Sequence, residues 1–315
     1  MINEQLPLLG FERLRLSKLD DPAFFRRESD RSLPSLESHH PAIRKTFSPS
    51  TQAEVGTWPV RIFTLGRFNL LYQGQPLDYG RKVPHRPLIF LKSLIALGGR
   101  DISASSIASV LWPDAEGDNA QRSFDTTLYR LRKILADDRI LILKDGKVSL
   151  DPQYCWVDVW SFERLLGNMQ RIRSRDTTGK DAYQLDRLIQ RIMSLYQDHF
   201  LAREEATAWS VSIRERLRSK FINSLLDIGR YWEIHGFWDK AIQCYQKGLE
   251  VDDLIEVFYQ RLMLCTLQTR QISEGMAAYR RCRQILSIVL GLQPTPETES
   301  IYLSLKKARL QKQSA

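Results

Sequence analysis

The sequence predicts two folded parts, an α+β domain followed by an all-α domain built from helical repeats. Residues 58–150 begin with a segment rich in β-forming residues and continue with three segments of helical periodicity. They end with two β-rich segments on either side of an Asp-Gly pair. Nearly all of the sequence beyond residue 157 has helical periodicity. A pattern of small and aromatic residues within it recurs after 34 residues. A chain of 315 residues is also about the length of two ordinary domains.

Composition narrows the class of protein. Hydrophobic residues make up 43% and charged residues 26% of the chain, as in soluble globular proteins. No stretch of the sequence approaches the ~18 uncharged apolar residues that cross a bilayer, and no secretory signal pattern opens it. The four cysteines form no CxxC pair, so we expect reduced, mostly buried thiols. These observations predict a cytoplasmic protein without a membrane partner.

Residues 1–57 are predicted to be a leader or linker that is disordered by itself. They hold 8 basic and 8 acidic side chains and a stretch rich in Ser and Pro. Such a composition buries too little apolar surface to offset the entropy of ordering the chain. The alternative is a short amphipathic helix within residues 11–25, formed through Leu14, Leu16 and Leu19, which would need a partner to pack against.

The α+β domain begins with a small antiparallel sheet. Residues 60–72 are rich in β-forming side chains, and Gly74 marks a turn from which 75–77 can return as a strand. A first helix is then predicted over 87–99, where two glycines stop it.

Two further helices follow. Ser103 can cap the second helix, which must end near Trp112 because Pro113 cannot continue it. The third helix is predicted to start with a capping box, in which Asp118 is the N-cap and Gln121 the third residue. Its apolar stripe consists of Phe124, Leu128, Leu131 and Leu135. Its opposite side shows Arg122, Thr126, Tyr129, Arg130 and Lys133.

A β-hairpin closes this domain. Two β-rich runs, 140–143 and 148–150, flank Asp145 and Gly146, and an Asp-Gly pair favours a tight hairpin turn. A small sheet, three helices and a hairpin directly after the third helix are the layout of a winged helix-turn-helix. We therefore place this domain at residues 58–158.

The remaining residues, 159–315, are predicted to form an array of helix pairs similar to tetratricopeptide repeats. Ala241 and Tyr245 lie 34 residues before Gly275 and Tyr279, so a small residue and an aromatic residue recur at the same positions of two successive units. Small residues let two helices approach closely, and aromatic residues fill the space beside them. The clearest predicted helices cover 160–172, 182–196, 208–234 and 237–251.

Net charge points to a polyanionic partner. The chain carries +9, and residues 81–147 contribute 12 basic against 8 acidic side chains. In a winged helix the third helix lies in the major groove of DNA. Its candidate DNA-binding residues are Arg122, Thr126, Thr127, Arg130 and Lys133. At the hairpin tip, Lys144 and Lys147 are candidates for phosphate contact.

The same residues also allow interpretations that involve no DNA binding. The third helix could be a solvated amphipathic helix with ordinary basic residues, and the two hairpin lysines could be solvated turn residues. A weaker candidate for phosphate contact is the basic segment before the first helix, which holds Arg81, Lys82, His85 and Arg86. No catalytic, cofactor-binding or metal-binding motif stands out, so we expect neither an enzyme nor a cofactor.

Both halves resemble one known family. Residues 58–158 resemble an OmpR-type winged helix, and 157–305 resemble the bacterial transcriptional activation domain that follows it in antibiotic-pathway regulators and large ATP-dependent activators. The similar stretches are LGRF at 65–68, SIASVLWPDAEGDNAQRSFDTTLYRLRKIL at 106–135, LILKDGKVSLDPQYCWVDVWSFERLL at 141–166 and GLQPTPETESIYLSL at 291–305. Residues 1–57 lack a phosphate-loop pattern, so an ATPase is not expected there.

The sequence as a whole predicts a sequence-specific DNA-binding transcription regulator. The expected effect is activation, and the sequence leaves repression open. The expected partners are double-stranded promoter DNA, including tandem sites, and RNA polymerase, with a homodimer or tandem assembly on the DNA. The resemblance implies that the helical domain provides the protein contacts. The alternative is an interaction scaffold that does not bind DNA and uses the groove of its helical repeats.

Overall fold

A computed structural model describes residues 58–79, 83–115, 117–176 and 179–313, all within one compact unit, Thr51–Ala315. The leader predicted for 1–57 and two cations of the segment before the first helix, Arg81 and Lys82, lie outside the described residues. The described strands are β1 (Val60–Phe63), β2 (Asn69–Tyr72), β3 (Gln75–Pro76), β4 (Ile102–Ser103), β5 (Leu141–Lys144), β6 (Lys147–Leu150) and β7 (Cys155–Val157). The described α-helices are α1 (His85–Ala96), α2 (Ala104–Leu111), α3 (Gly117–Leu135), α4 (Asp158–Arg175), α5 (Ala182–Leu195), α6 (Ala208–Ile234), α7 (Trp238–Val251), α8 (Glu256–Gln268), α9 (Ile272–Ile285) and α10 (Pro296–Gln313).

The first sheet has the strand order β3-β2-β1-β7. Strands β1, β2 and β3 form the predicted antiparallel meander. Strand β7 was not predicted, and it pairs in parallel with β1 so that Val60 lies opposite Cys155. Because β7 leads straight into α4, this pairing joins the first strand of the α+β part to the first helix of the helical part.

The three helices and the hairpin have the predicted order. The second helix has its predicted start and end, whereas the first helix, predicted over 87–99, covers His85–Ala96. The Ser103 hydroxyl accepts a hydrogen bond from the Ser106 N–H at 3.0 Å, which caps α2. Asp145 and Gly146 both have positive φ, 50° and 69°, as a tight hairpin turn requires. Strands β5 and β6 pair antiparallel, and β4 adds to β6 on the other side.

The predicted capping box of α3 is wrong. The helix begins at Gly117, so Asp118 lies inside its first turn rather than at the N-cap. The Gln121 side chain does not reach back to the helix start, because its Nε2 donates to Asp125 Oδ1 at 3.0 Å instead. An acidic residue in the first turn still stabilises the helix through its dipole.

One continuous hydrophobic core runs through the α+β part and into the helical part. The loop between β1 and β2 pairs with the segment before α6, through Leu201 N–H to the Thr64 carbonyl at 2.8 Å and Ala202 N–H to the Gly66 carbonyl at 2.9 Å. All four cysteines are free and buried, as predicted, and burial raises the pKa of each thiol. Among the described residues, no helix is long and apolar enough to cross a membrane.

The helical part is an array in which each helix from α6 to α9 packs on the next, and α10 packs on α8 and α9. Ala241 is completely buried, and Tyr245 of α7 lies directly over Gly229 of α6, where a Cβ atom would overlap its ring. Gly275 of α9, 34 residues after Ala241, likewise lies where a Cβ atom would overlap Thr266 of α8 and Leu305 of α10. The predicted use of small residues at the helix crossings is confirmed.

Candidate nucleic-acid interface

The orientation of α3 is fixed by its apolar stripe. Phe124, Leu128, Leu131 and Leu135 are all buried, and the Phe124 ring lies 5.4 Å from that of Phe90 in α1. Contacts with both α1 and α2 hold this side of the helix. The opposite side of α3 therefore faces solvent.

Four of the five predicted α3 residues lie on that solvent-facing side. Arg122, Thr126, Arg130 and Lys133 are all exposed. Their spacing of four, four and three residues keeps them on one face, over about 16 Å of helix length at 1.5 Å per residue. A B-DNA major groove about 12 Å wide admits an α-helix, so such a stripe can meet several base edges and phosphates together.

The fifth residue, Thr127, does not belong to this surface. Its side chain is buried, at 6% exposure, and its hydroxyl donates to the Ser123 carbonyl oxygen at 2.7 Å. Thr127 follows Phe124 by three residues, and side chains three apart on a helix share a face. We therefore correct the sequence prediction and exclude Thr127 from the interface.

The hairpin tip presents two cations side by side. Lys144 of β5 and Lys147 of β6 are exposed and lie directly opposite each other across the two-residue turn. Like charges directly opposite in an antiparallel pair destabilise it. A bound phosphate would remove that repulsion, which makes the tip a suitable anion contact.

The cations of this surface differ in their pairing from those of the helical part. Within the described residues, no carboxylate forms an ion pair with Arg122, Arg130, Lys133, Lys144 or Lys147. In the helical part, by contrast, many cations are paired; examples are Arg216 with Glu163, Arg218 with Asp252, and Arg261 with Glu233. The positive charge of α3 and the hairpin therefore remains available to a ligand.

Two features of this surface are not among the candidate DNA-binding residues of the sequence analysis. Tyr129 is 62% exposed in the middle of the α3 stripe, and Lys133 Nζ lies 5.5 Å from the centre of its ring. On β5, Ile142 and Leu143 are both partly exposed beside Lys144. The four-residue spacing of Tyr129 and Lys133 could have indicated their contact. The exposure of Ile142 and Leu143 could not be predicted, because apolar residues in a predicted strand indicate burial.

Of the basic segment before the first helix, the structure describes two residues, which remain candidates for phosphate contact. His85 and Arg86 are exposed in the first turn of α1. Among the described residues, no group of three or more His, Cys, Asp or Glu side chains has the arrangement of a metal site.

The second half of the chain matches a known protein domain. Residues 157–306 match the model of the bacterial transcriptional activator domain, which confirms the resemblance expected for 157–305. The chain is 23% identical over 221 residues to the regulatory protein AfsR of Streptomyces griseus, a match that covers 69% of this chain and 22% of AfsR. It therefore spans about a fifth of the length of this curated relative.

A solved structure shares the fold. The chain is similar to Mycobacterium tuberculosis EmbR, solved in complex with a low-affinity phosphopeptide, with a TM-score of 0.58 and 17% sequence identity. The similarity covers 79% of this chain and 65% of the EmbR chain, so it extends beyond the 157–306 segment. The chain thus shares the EmbR fold over most of its length, and its residues 157–306 match a bacterial transcriptional activator domain.

Proposed function

We propose that this chain is a sequence-specific DNA-binding transcription regulator that activates its target promoters. Residues 58–158 act as an OmpR-type winged helix whose α3 enters the major groove, and 159–315 form the domain that makes the protein contacts. The observation that supports this most strongly is the exposed stripe of unpaired cations on α3, held outward by a fully buried apolar stripe.

Each side chain has a role set by its chemistry. Arg122 and Arg130 can donate two parallel hydrogen bonds to guanine O6 and N7, and Thr126 can donate to a base or phosphate oxygen. Lys133 lies near the C-terminal end of α3 and suits a phosphate. Lys144 and Lys147 are flexible point charges at the hairpin tip, where they bind the sugar-phosphate backbone without reading sequence.

The helical domain supplies the regulatory contacts in this proposal. It matches a domain described as a bacterial transcriptional activator, and the relative AfsR is described as a regulatory protein. Just after α9, four large apolar side chains are between 47% and 72% exposed: Ile288, Val289, Leu290 and Leu292. Such a run fits self-association on tandem promoter sites or contact with RNA polymerase. The proposal places the protein in the cytoplasm with DNA as its ligand, and it includes no cofactor and no catalysis.

The proposal is tested by selection of DNA from the genome of the source organism. Purified full-length protein is mixed with genomic fragments at ~50 mM salt, where phosphate contacts are strongest, and bound fragments are sequenced and footprinted. We expect a recurring site, bound more weakly by Arg130→Ala. Arg280→Ala is the matched control, because Arg280 is an exposed arginine on α9, remote in sequence from α3. No retained DNA would favour the interaction scaffold instead.

A further inference from the structure

An acidic side chain lies at the edge of the basic stripe of α3. Asp125 is exposed, three residues after Arg122 and four before Tyr129. At 100° per residue, Asp125 lies on the solvent-facing side of the helix, at the edge nearest Arg132. The Arg132 guanidinium donates a hydrogen bond to the Leu141 carbonyl oxygen of β5. A carboxylate on a DNA-binding face is repelled by phosphates, so it weakens binding to every sequence unless it meets a donor.

The Asp125 carboxylate accepts one hydrogen bond from its own helix. Gln121 Nε2 donates to its Oδ1 at 3.0 Å, one helical turn away. Within the described residues, Oδ2 accepts no hydrogen bond, and neither Arg122 nor any other cation forms an ion pair with Asp125. One oxygen thus already has a hydrogen-bond donor, while the other remains an acceptor for a ligand.

We propose that Asp125 is a specificity-determining residue, which accepts a hydrogen bond from the N4 amino group of a cytosine in the major groove, and that Gln121 is its positioning residue. This inference rests on the proposed function, because it requires α3 to lie in the groove. Guanine and thymine present only acceptors or a methyl group there, and they repel or ignore a carboxylate. Adenine also offers an amino group, but its own N7 acceptor lies beside that group, whereas the groove edge of cytosine has only the C5–H beside N4.

If the Gln121–Asp125 pair has only a structural role, the expected effect of removing the acid is different. If Gln121 and Asp125 only stabilise the helix, removal of the acid raises affinity for all sequences alike, because it removes repulsion from phosphates. If Asp125 reads cytosine, its removal changes the preference at one base pair and leaves the other positions as they were. The base preference at single positions therefore separates the two.

The experiment uses full-length protein and the site recovered from the genome. Affinity is measured for a panel of duplexes in which each position of the footprint carries each of the four base pairs in turn. The variants are Asp125→Ala, Gln121→Ala and, as a matched removal of one exposed negative charge outside α3, Asp138→Asn. Melting temperatures establish that all variants are folded.

For the wild type we expect a preference for cytosine at one position, roughly 5- to 150-fold over the other bases. Asp125→Ala should abolish that preference alone, Gln121→Ala should narrow it at the same position, and Asp138→Asn should preserve it. The inference is overturned if Asp125→Ala keeps every base preference or raises affinity uniformly. Failure of the wild type to yield any site would instead overturn the proposed function.

Discussion

Asp158 provides the sharpest test of how the two parts of the chain are joined. It is the first residue of α4 and is 1% exposed. Its Oδ2 accepts from the backbone N–H groups of Thr64 and Leu65, at 2.5 and 2.7 Å, and its Oδ1 accepts from the Thr64 hydroxyl and the Val159 N–H, at 2.7 and 2.8 Å. A single carboxylate thus accepts hydrogen bonds from donors just after β1 and at the start of α4.

The substitution Asp158→Asn keeps one oxygen for Thr64 and Leu65 but places an amide NH₂ group where Oδ1 was. The Thr64 hydroxyl can rotate to accept from that group, whereas the Val159 N–H loses its acceptor. One unsatisfied buried donor costs about 1–3 kcal/mol. In the wild type, burial raises the pKa of Asp158 to about 6, although its hydrogen bonds act in the opposite direction.

The raised pKa gives the prediction its pH dependence. The folded state binds the Asp158 proton more tightly than the unfolded state, whose pKa is near 3.9. Wild-type stability therefore falls as the pH rises from about 4 to about 6, and the loss levels off near 3 kcal/mol above that range. Asp158→Asn has no such loss. We expect the wild type to be the more stable by about 1–3 kcal/mol at pH 4, and this advantage to disappear by pH 7.

Urea unfolding of both proteins at pH 4, 5, 6 and 7 measures the difference in unfolding free energy directly. All other titrating groups are shared, so they cancel in the difference as long as the two folds are the same. A difference that stays constant across this range would show that the hydrogen bonds keep Asp158 ionised throughout and would refute the reasoning.

Three further predictions follow from the structure. Thr126→Val should weaken DNA binding in a gel-shift titration whereas Thr127→Val should not, and equal effects would contradict the burial of Thr127. Lys144→Ala with Lys147→Ala should weaken binding to all sequences alike and reduce the salt slope by about one to two units; a sequence-selective loss would show that the hairpin reads bases. Ala241→Trp should cost on the order of 1–3 kcal/mol in urea unfolding and remove cooperative occupancy of two-site DNA, with one-site binding retained.

The elements that sequence reasoning found are those encoded by local chemistry. The Ser103 cap, the Pro113 stop and the Asp145-Gly146 turn each depend on neighbouring residues only, and all three are present. The long helices follow from apolar spacing, so α6 was predicted with the bounds that the structure has, Ala208–Ile234.

What sequence reasoning missed depends on contacts distant in the chain. Strand β7 has only three residues, and it exists because β1, 95 positions earlier in register, offers a free edge. Thr127 is buried because α3 packs closely against α1 and α2. Its polar side chain gave no indication of this burial in the sequence. No local pattern indicates that Asp158 binds the end of β1, because an acidic residue at the start of a helix is ordinary.

The central claim is that α3 lies in the major groove, and directed cleavage tests it most directly. A DNA-cleaving reagent is attached to Thr126→Cys, in the middle of the exposed stripe; the four native cysteines are buried and their raised pKa keeps them as unreactive thiols. Ser273→Cys, exposed on α9, is the control position. We predict cleavage confined to a few base pairs inside the footprint for the α3 conjugate and none there for the α9 conjugate. The same pattern from both, or cleavage by the α3 conjugate only outside the footprint, would contradict the account.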